Sequence, residues 1–156
     1  MFLVALAVDL NGKKHVLGFW ECPGENSSVT TALLSELEGR GLELTPATLF
    51  ITDGSKGIAK GLRERMGSAL LHVRCPVHKA RNLSDWLPRG RCEGLWRFQR
   101  AIGCTQYGDA HRELESLSRW LKGVLEEVKD ELLTLHRLGI TGSLRQSLGA
   151  PTPSKG

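Results

Sequence analysis

An α/β arrangement that gives way to an all-helical segment is predicted for this chain of 156 residues. Three features predict it. A short apolar run, Thr48 to Thr52, ends in Asp53-Gly54 and is followed by a helical stretch and a second apolar run, Leu70 to Arg74, which is the pattern of a βαβ unit. Upstream, two apolar runs flank Asp9-Leu10-Asn11-Gly12, the punctuation of a hairpin. Downstream, Leu114, Leu117, Leu121, Val124, Val128, Leu132 and Leu135 form a stripe at helical spacing.

In chain order, Leu3 to Val8 and His15 to Trp20 read as the antiparallel hairpin, with Asn11-Gly12 suited to positive φ. Asp9 reads as a turn residue, the alternative being a displaced metal ligand. Ser28 to Glu38 carries Val29, Ala32, Leu33 and Leu37 on one helical face, with Ser27 or Ser28 as N-cap, and Gly39 and Gly41 end it. Thr48 to Thr52 is a buried strand, Ser55 to Met66 a helix, and Leu70 to Arg74 a strand reached by a right-handed crossover. Val77 to Leu87 is helical, Pro88-Arg89-Gly90 a break, and Glu93 to Ile102 another helix. Asp109 to Leu138 forms one or two helices. Gly123 costs about 1 kcal/mol relative to Ala in a helix interior, so a bend is expected there. The Pro-, Ser- and Gly-rich end from Gly149 is expected to be disordered.

A chain of this size buries about two-thirds of its unfolded surface, enough for a core. No apolar stretch approaches the roughly 20 residues of a membrane helix, and Met1 to Val8 lacks the basic start and length of a signal peptide, so no membrane association is expected and the cytoplasm is the default compartment. Cys22, Cys75, Cys92 and Cys104 lack the spacing of a disulfide framework and read as reduced thiols. The net charge is a modest +4, but between Arg74 and Arg100 seven basic residues (Arg74, Lys79, Arg81, Arg89, Arg91, Arg97, Arg100) face two acids, Asp85 and Glu93. With Trp86, Trp96 and Phe98 among them, these charges suit a polyanion-binding surface. A solvated helix face with its aromatics in the core fits them equally.

Asp53 stands at the C-terminal end of its strand, where open α/β sheets place their ligands, and Gly54 allows close backbone approach. The run Ile51-Thr52-Asp53-Gly54-Ser55-Lys56-Gly57, followed by Arg74-Cys75-Pro76-Val77-His78-Lys79-Ala80-Arg81-Asn82, resembles the catalytic core of Mutator-type bacterial insertion-sequence transposases. Val4 to Gly18 is similar to that family's second and third strands, and Glu131 to Gly139 to the helix leading to its third catalytic acid. The resemblance implies a ribonuclease H-like fold with a carboxylate triad. It implies an incomplete version here, with the first strand missing: a partial core over residues 1–87, a helical insertion segment over 88–148 and a tail over 149–156.

Such a fold cleaves and joins DNA with two divalent cations, Mg²⁺ or Mn²⁺, held about 4 Å apart by carboxylates. By resemblance Asp53 is the middle carboxylate and a metal ligand. His78 is catalytic beside it, and Gly54, Gly57 and Cys75 are structural. Lys79, Arg81 and Asn82 lie near enough to reach phosphate, and Arg89, Arg91, Arg97 and Arg100 extend the DNA surface. No Glu follows Glu131, and the family's first Asp lies on a strand preceding Leu3 to Val8, so one of three acids is identified. Cys75-x-x-His78 is also half of a zinc pattern, but no second close Cys/His pair completes it.

Two functions of different class follow. One is a transposase fragment that is inactive alone and whose family partner is the DNA ends of a mobile element. The other is a non-catalytic module that binds DNA, itself or the intact transposase, and so acts as a regulator. A generic ribonuclease H-like nuclease would need the full acid set.

Overall fold

The computed structural model of the chain describes residues 2–22, 24, 26–87 and 92–149 and shows the expected order, strands and helices first and helices afterwards. Strands β1 (Phe2–Val8) and β2 (Lys14–Glu21) pair antiparallel around a tight turn. In that turn the Gly12 N–H donates to Asp9 O at 2.9 Å and the Asp9 N–H donates to Lys13 O at 3.0 Å. Gly12 alone takes positive φ, 81°, giving a type I turn closed by a glycine bulge rather than a two-residue Asn-Gly turn. Asp9 is a turn residue: its Oδ1 accepts from the N–H groups of Asn11 and Lys13, and its Oδ2 faces His15 Nε2 at 3.0 Å. That imidazole contact is the chief reason the Asp9 carboxyl titrates below its ordinary range.

The ladder slips once. Ala5 faces Gly18 but Leu6 faces Val16, leaving Leu17 as a bulge. Leu3, Ala5, Leu17 and Trp20 pack against Leu33, Leu34 and Leu37 of helix α1 (Ser27–Gly39). The N-cap is Asn26, not the predicted Ser27 or Ser28. Asn26 has extended backbone, and its side-chain oxygen accepts from the Val29 N–H at 2.9 Å, which draws both serines into the first turn. The opposite face of the hairpin presents Phe2, Val4, Leu6, Val16 and Phe19 to solvent, with Phe2 69% and Phe19 67% exposed.

Strand β3 (Leu49–Thr52), helix α2 (Lys56–Met66) and strand β4 (Leu71–Arg74) complete the βαβ unit, with β3 and β4 parallel from Leu49 opposite Leu71 to Thr52 opposite Arg74. Helix α2 lies close on α1 because Gly61 has no side chain: a β-carbon there would stand 2.6 Å from Thr30 Cβ. The two strand pairs form separate two-stranded sheets, and among the described residues no strand joins them.

Helix α3 (Pro76–Trp86) leads to α4 (Cys92–Gly103), α5 (Tyr107–Trp120), α6 (Lys129–Arg137) and the short α7 (Gly142–Ser147). The expected break at Pro88-Arg89-Gly90 lies outside the described residues, as does the tail expected to be disordered from Gly149, apart from Gly149 itself, whose N–H donates to Gln146 O at 3.0 Å. Leu83 of α3 shares one apolar core with Phe98, Ile102, Leu114, Leu117 and Leu133. The predicted stretch Asp109 to Leu138 is two helices, and the expected bend at Gly123 is a full interruption. Lys122 and Gly123 both take positive φ, 53° and 88°, which no right-handed helix accommodates. The interruption is held in place by polar contacts: the buried Ser118 Oγ donates to Glu126 Oε1 at 2.8 Å, and Lys129 Nζ lies 2.9 Å from Glu126 Oε2. Leu121, Leu125 and Val128 stay buried although the helical period is lost.

Helix α7, which the sequence does not announce, is anchored by one buried side chain. Arg145 Nη2 donates to Ile102 O at 2.5 Å and to Cys104 O at 3.1 Å, and lies 2.8 Å from His136 Nε2. Burial, reinforced by the Arg145 charge, lowers the His136 imidazole to about 4. The unfolded chain therefore binds the extra proton first, at its ordinary value near 6.5. Stability from this site is complete above about pH 6.5 and is lost as pH falls toward 4, by up to about 3 kcal/mol. Urea unfolding at pH 7 and pH 4.5 checks this: the parent should lose about 2 kcal/mol more than His136→Gln over that interval, and equal losses would remove His136 from the account.

Candidate functional site

The C-terminal edge of β3 and β4 gathers most of the residues singled out in the sequence. Asp53 follows β3 directly and is exposed, and its Oδ1 accepts from the Ser55 N–H at 3.1 Å. Gly54 takes φ 107°, open to glycine and strained for other residues. Ser55 caps α2 through an Oγ that accepts from the Ile58 N–H at 3.3 Å, and Gly57 sits half-buried in the first turn. The neighbouring strand ends at Arg74. There the Cys75 N–H donates to Thr52 O at 2.7 Å, extending the parallel ladder by one bond and placing Cys75 beside the Asp53 turn. Pro76 then starts α3, so α2 and α3 both begin at this edge.

On α3, His78, Arg81 and Asn82 are exposed and Lys79 is half-buried. Burial first, and the Arg74 charge second, lower the Lys79 ammonium from its ordinary range. The chain returns to the same edge at its far end, because a β-carbon at Gly149 would stand 3.7 Å from Cys75 Sγ and from Val77 Cγ2. Among the described residues no three His, Cys, Asp or Glu side chains converge as a group able to hold a metal. Asp53 by itself, folded back on its own turn, does not fit a pair of divalent cations that must be bridged and shared by several carboxylates.

The basic cluster divides. Arg81 points to solvent, whereas Arg97 and Arg100 are spent on joining α4 to α5. Arg97 donates to Ser116 Oγ at 3.1 Å, and its guanidinium lies 5.7 Å from the Trp120 ring centre. Arg100 pairs with Glu113 at 3.0 Å and lies 5.6 Å from the Trp96 ring centre. Arg89 and Arg91 lie outside the described residues.

Sequence reasoning missed a polar chain beneath the edge. Thr52 Oγ1 and His72 Nε2 are 2.9 Å apart, and His72 Nδ1 approaches Glu131 Oε1 at 3.3 Å. Glu131 also pairs with Arg63 at 3.0 Å. The Nδ1 approach is electrostatic rather than an aligned hydrogen bond, since Nδ1 has no partner of good geometry. Burial holds the His72 imidazole below its ordinary range against the opposing pull of Glu131. The chain ties α2, β3, β4 and α6 together one residue before Asp53. The parallel register supplied half the signal, setting Thr52 diagonally across from His72, but nothing local pointed to Glu131.

A short parallel pair with an acid at its C-terminal edge, a Cys-x-x-His on the next helix and a helical segment behind it define the class. The chain belongs to the Mutator family of transposases, whose sequence profile matches residues 1–133. It is similar to the transposase for insertion sequence element IS905 of Lactococcus lactis subsp. lactis (strain IL1403), 29% identical over 141 residues, covering 86% of this chain and 35% of that one. It is also similar to the transposase for insertion sequence element IS1201 of Lactobacillus helveticus, 36% identical over 80 residues (51% and 21%), and to a probable insertion-element transposase of Corynebacterium diphtheriae, 29% identical over 84 residues (54% and 24%). The chain thus spans about a third or less of the length of these relatives.

The polar chain beneath the edge makes a prediction. In a double-mutant cycle of His72→Gln and Glu131→Gln measured by urea unfolding, the coupling should be about 1 kcal/mol. Additive losses would show that the two residues act independently.

Proposed function

We propose that this chain is part of a transposase that moves an insertion element by DNA cleavage and strand transfer, and that it binds DNA without cutting it when alone. Family membership over residues 1–133, with Asp53 at the open edge of the β3–β4 pair beside α3, carries this reading. Asp53 is one carboxylate toward the Mg²⁺ or Mn²⁺ chemistry of an intact transposase, and His78, Lys79, Arg81 and Asn82 present the DNA-facing side of α3. Lys79 and Arg81 form the duplex contact with Arg74 behind them, while Arg97 and Arg100, already paired with acids, contribute less to it. The ribonuclease H-like architecture belongs to this proposal: the two separate sheets are compatible with wings of one larger sheet.

A second reading has its own observation. The exposed apolar face of the hairpin, Phe2, Val4, Leu6, Val16 and Phe19, suits a module that pairs with an intact transposase and restrains it.

Two measurements test the first reading. With Mg²⁺ or Mn²⁺ the purified chain should leave DNA carrying the element's ends uncut, and metal-dependent strand transfer abolished by Asp53→Asn would overturn the claim of inactivity. Duplex binding should fall steeply with salt, and replacing Lys79 and Arg81 together with Ala should lower affinity about tenfold and the salt slope by about two. Salt-independent binding, or none, would sink the DNA assignment. For the second reading, the chain should co-elute with a full-length Mutator-family transposase and lose this with Phe2→Ser and Phe19→Ser. Separate elution of the parent chain would exclude it.

A further inference from the structure

Arg74 is the one half-buried arginine of the described chain that has no counter-charge. Arg63, Arg65, Arg97 and Arg100 pair with Glu131, Glu38, Glu93 and Glu113, and Arg145 is bound by carbonyls. Arg81 and Arg119, which form no ion pair among the described residues either, are exposed to water and need none. Arg74 closes β4, and its guanidinium lies directly on Gly54: a β-carbon there would stand 2.3 Å from Cζ and Nη2 and 2.5 Å from Nε. Its Nε is buried and makes no hydrogen bond among the described residues. A buried donor left unmade in this way is costly and calls for an acceptor. Among the described residues the adjacent Asp53 forms no hydrogen bond or ion pair with Arg74, and the one bond Asp53 Oδ1 makes is to the Ser55 N–H. Lys79 lies near enough to feel the Arg74 charge, so two cations share the edge, with Glu127 the acid acting on Lys79.

Resting on the DNA reading above, we propose that Arg74 grips a single phosphodiester of the bound strand at the Asp53 edge, with Lys79 as the neighbouring cation and Gly54 as the floor on which the guanidinium lies. The Arg74 Nη1 and Nη2 groups, which form no hydrogen bond among the described residues, make a planar fork that matches two oxygens of one phosphate, which an ammonium cannot do. The contact fixes the strand's position beside Asp53 and reads no base. Free inorganic phosphate or pyrophosphate presents the same oxygens and is the other source of such a ligand.

The test compares parent, Arg74→Gln and Arg112→Ala, an exposed pair-former on α5 far from the edge in sequence, by fluorescence anisotropy on a labelled duplex across a salt series. Thermal unfolding with and without pyrophosphate runs in parallel. Arg74→Gln should weaken duplex binding about tenfold and reduce the salt slope by about one, while Arg112→Ala changes neither by more than about twofold. Pyrophosphate should raise the parent's melting temperature and leave that of Arg74→Gln unmoved. Duplex binding by Arg74→Gln with the parent's affinity and slope overturns the proposal while leaving the DNA reading intact. Pyrophosphate protection that needs Arg74, in a chain that binds no duplex, keeps the anion site and overturns DNA as its ligand. If Arg74→Gln does not fold, Arg74→Lys replaces it: the slope should hold and affinity fall about threefold as the fork is lost, and parental affinity would overturn the proposal.

Discussion

Burial of the β3–β4 pair from both sides is the constraint on which the rest depends. Two strands of four residues form too small a sheet to persist in water by themselves. Phe50 and Leu70 are covered by α1 and α2, while Leu49, Ile51 and Val73 meet Leu135, Ile140 and Leu148 from α6 and the segments around it. Remove either layer and the strand ends that place Asp53 and Arg74 have nothing to hold them. The Thr52–His72–Glu131–Arg63 chain adds a directional element to this packing, since a shift of α6 along β4 would strand a buried imidazole.

Charge at the edge is arranged by what is left uncompensated rather than by total count. The basic excess between Arg74 and Arg100 looks uniform along the sequence, yet it divides once folded. Arg97 and Arg100 are consumed by the α4–α5 interface, where carboxylate and indole partners keep them. Arg74, Lys79 and Arg81 stay available at the edge beside Asp53. Among the described residues the cations left without an acid partner at this edge are these three, whereas Arg97 and Arg100 are already engaged. The hairpin presents the reverse character on its open face, where five apolar side chains stand in water.

The sequence by itself determined the local plan. Alternation and Asp9-Leu10-Asn11-Gly12 set the hairpin, helical spacing set α1 to α5, and Asp53-Gly54 with Cys75-x-x-His78 marked the edge, because turns, caps and short periodic runs depend on neighbours within a few residues. Even there the finer choices belonged to competing local groups, as when Asn26 took the cap from two serines. Only tertiary structure decided how the α5–α6 stripe is divided. Leu121, Leu125 and Val128 are buried by the surrounding helices whether or not they stay helical, so an apolar stripe cannot reveal the break at Lys122-Gly123. Tertiary structure likewise decided which histidines and arginines are bound. His72 meets Glu131, and Arg145 meets His136 and the carbonyls of Ile102 and Cys104, across separations that no local pattern encodes. Among the described residues Arg74 pairs with no acid, because folding brings Gly54 beneath its guanidinium.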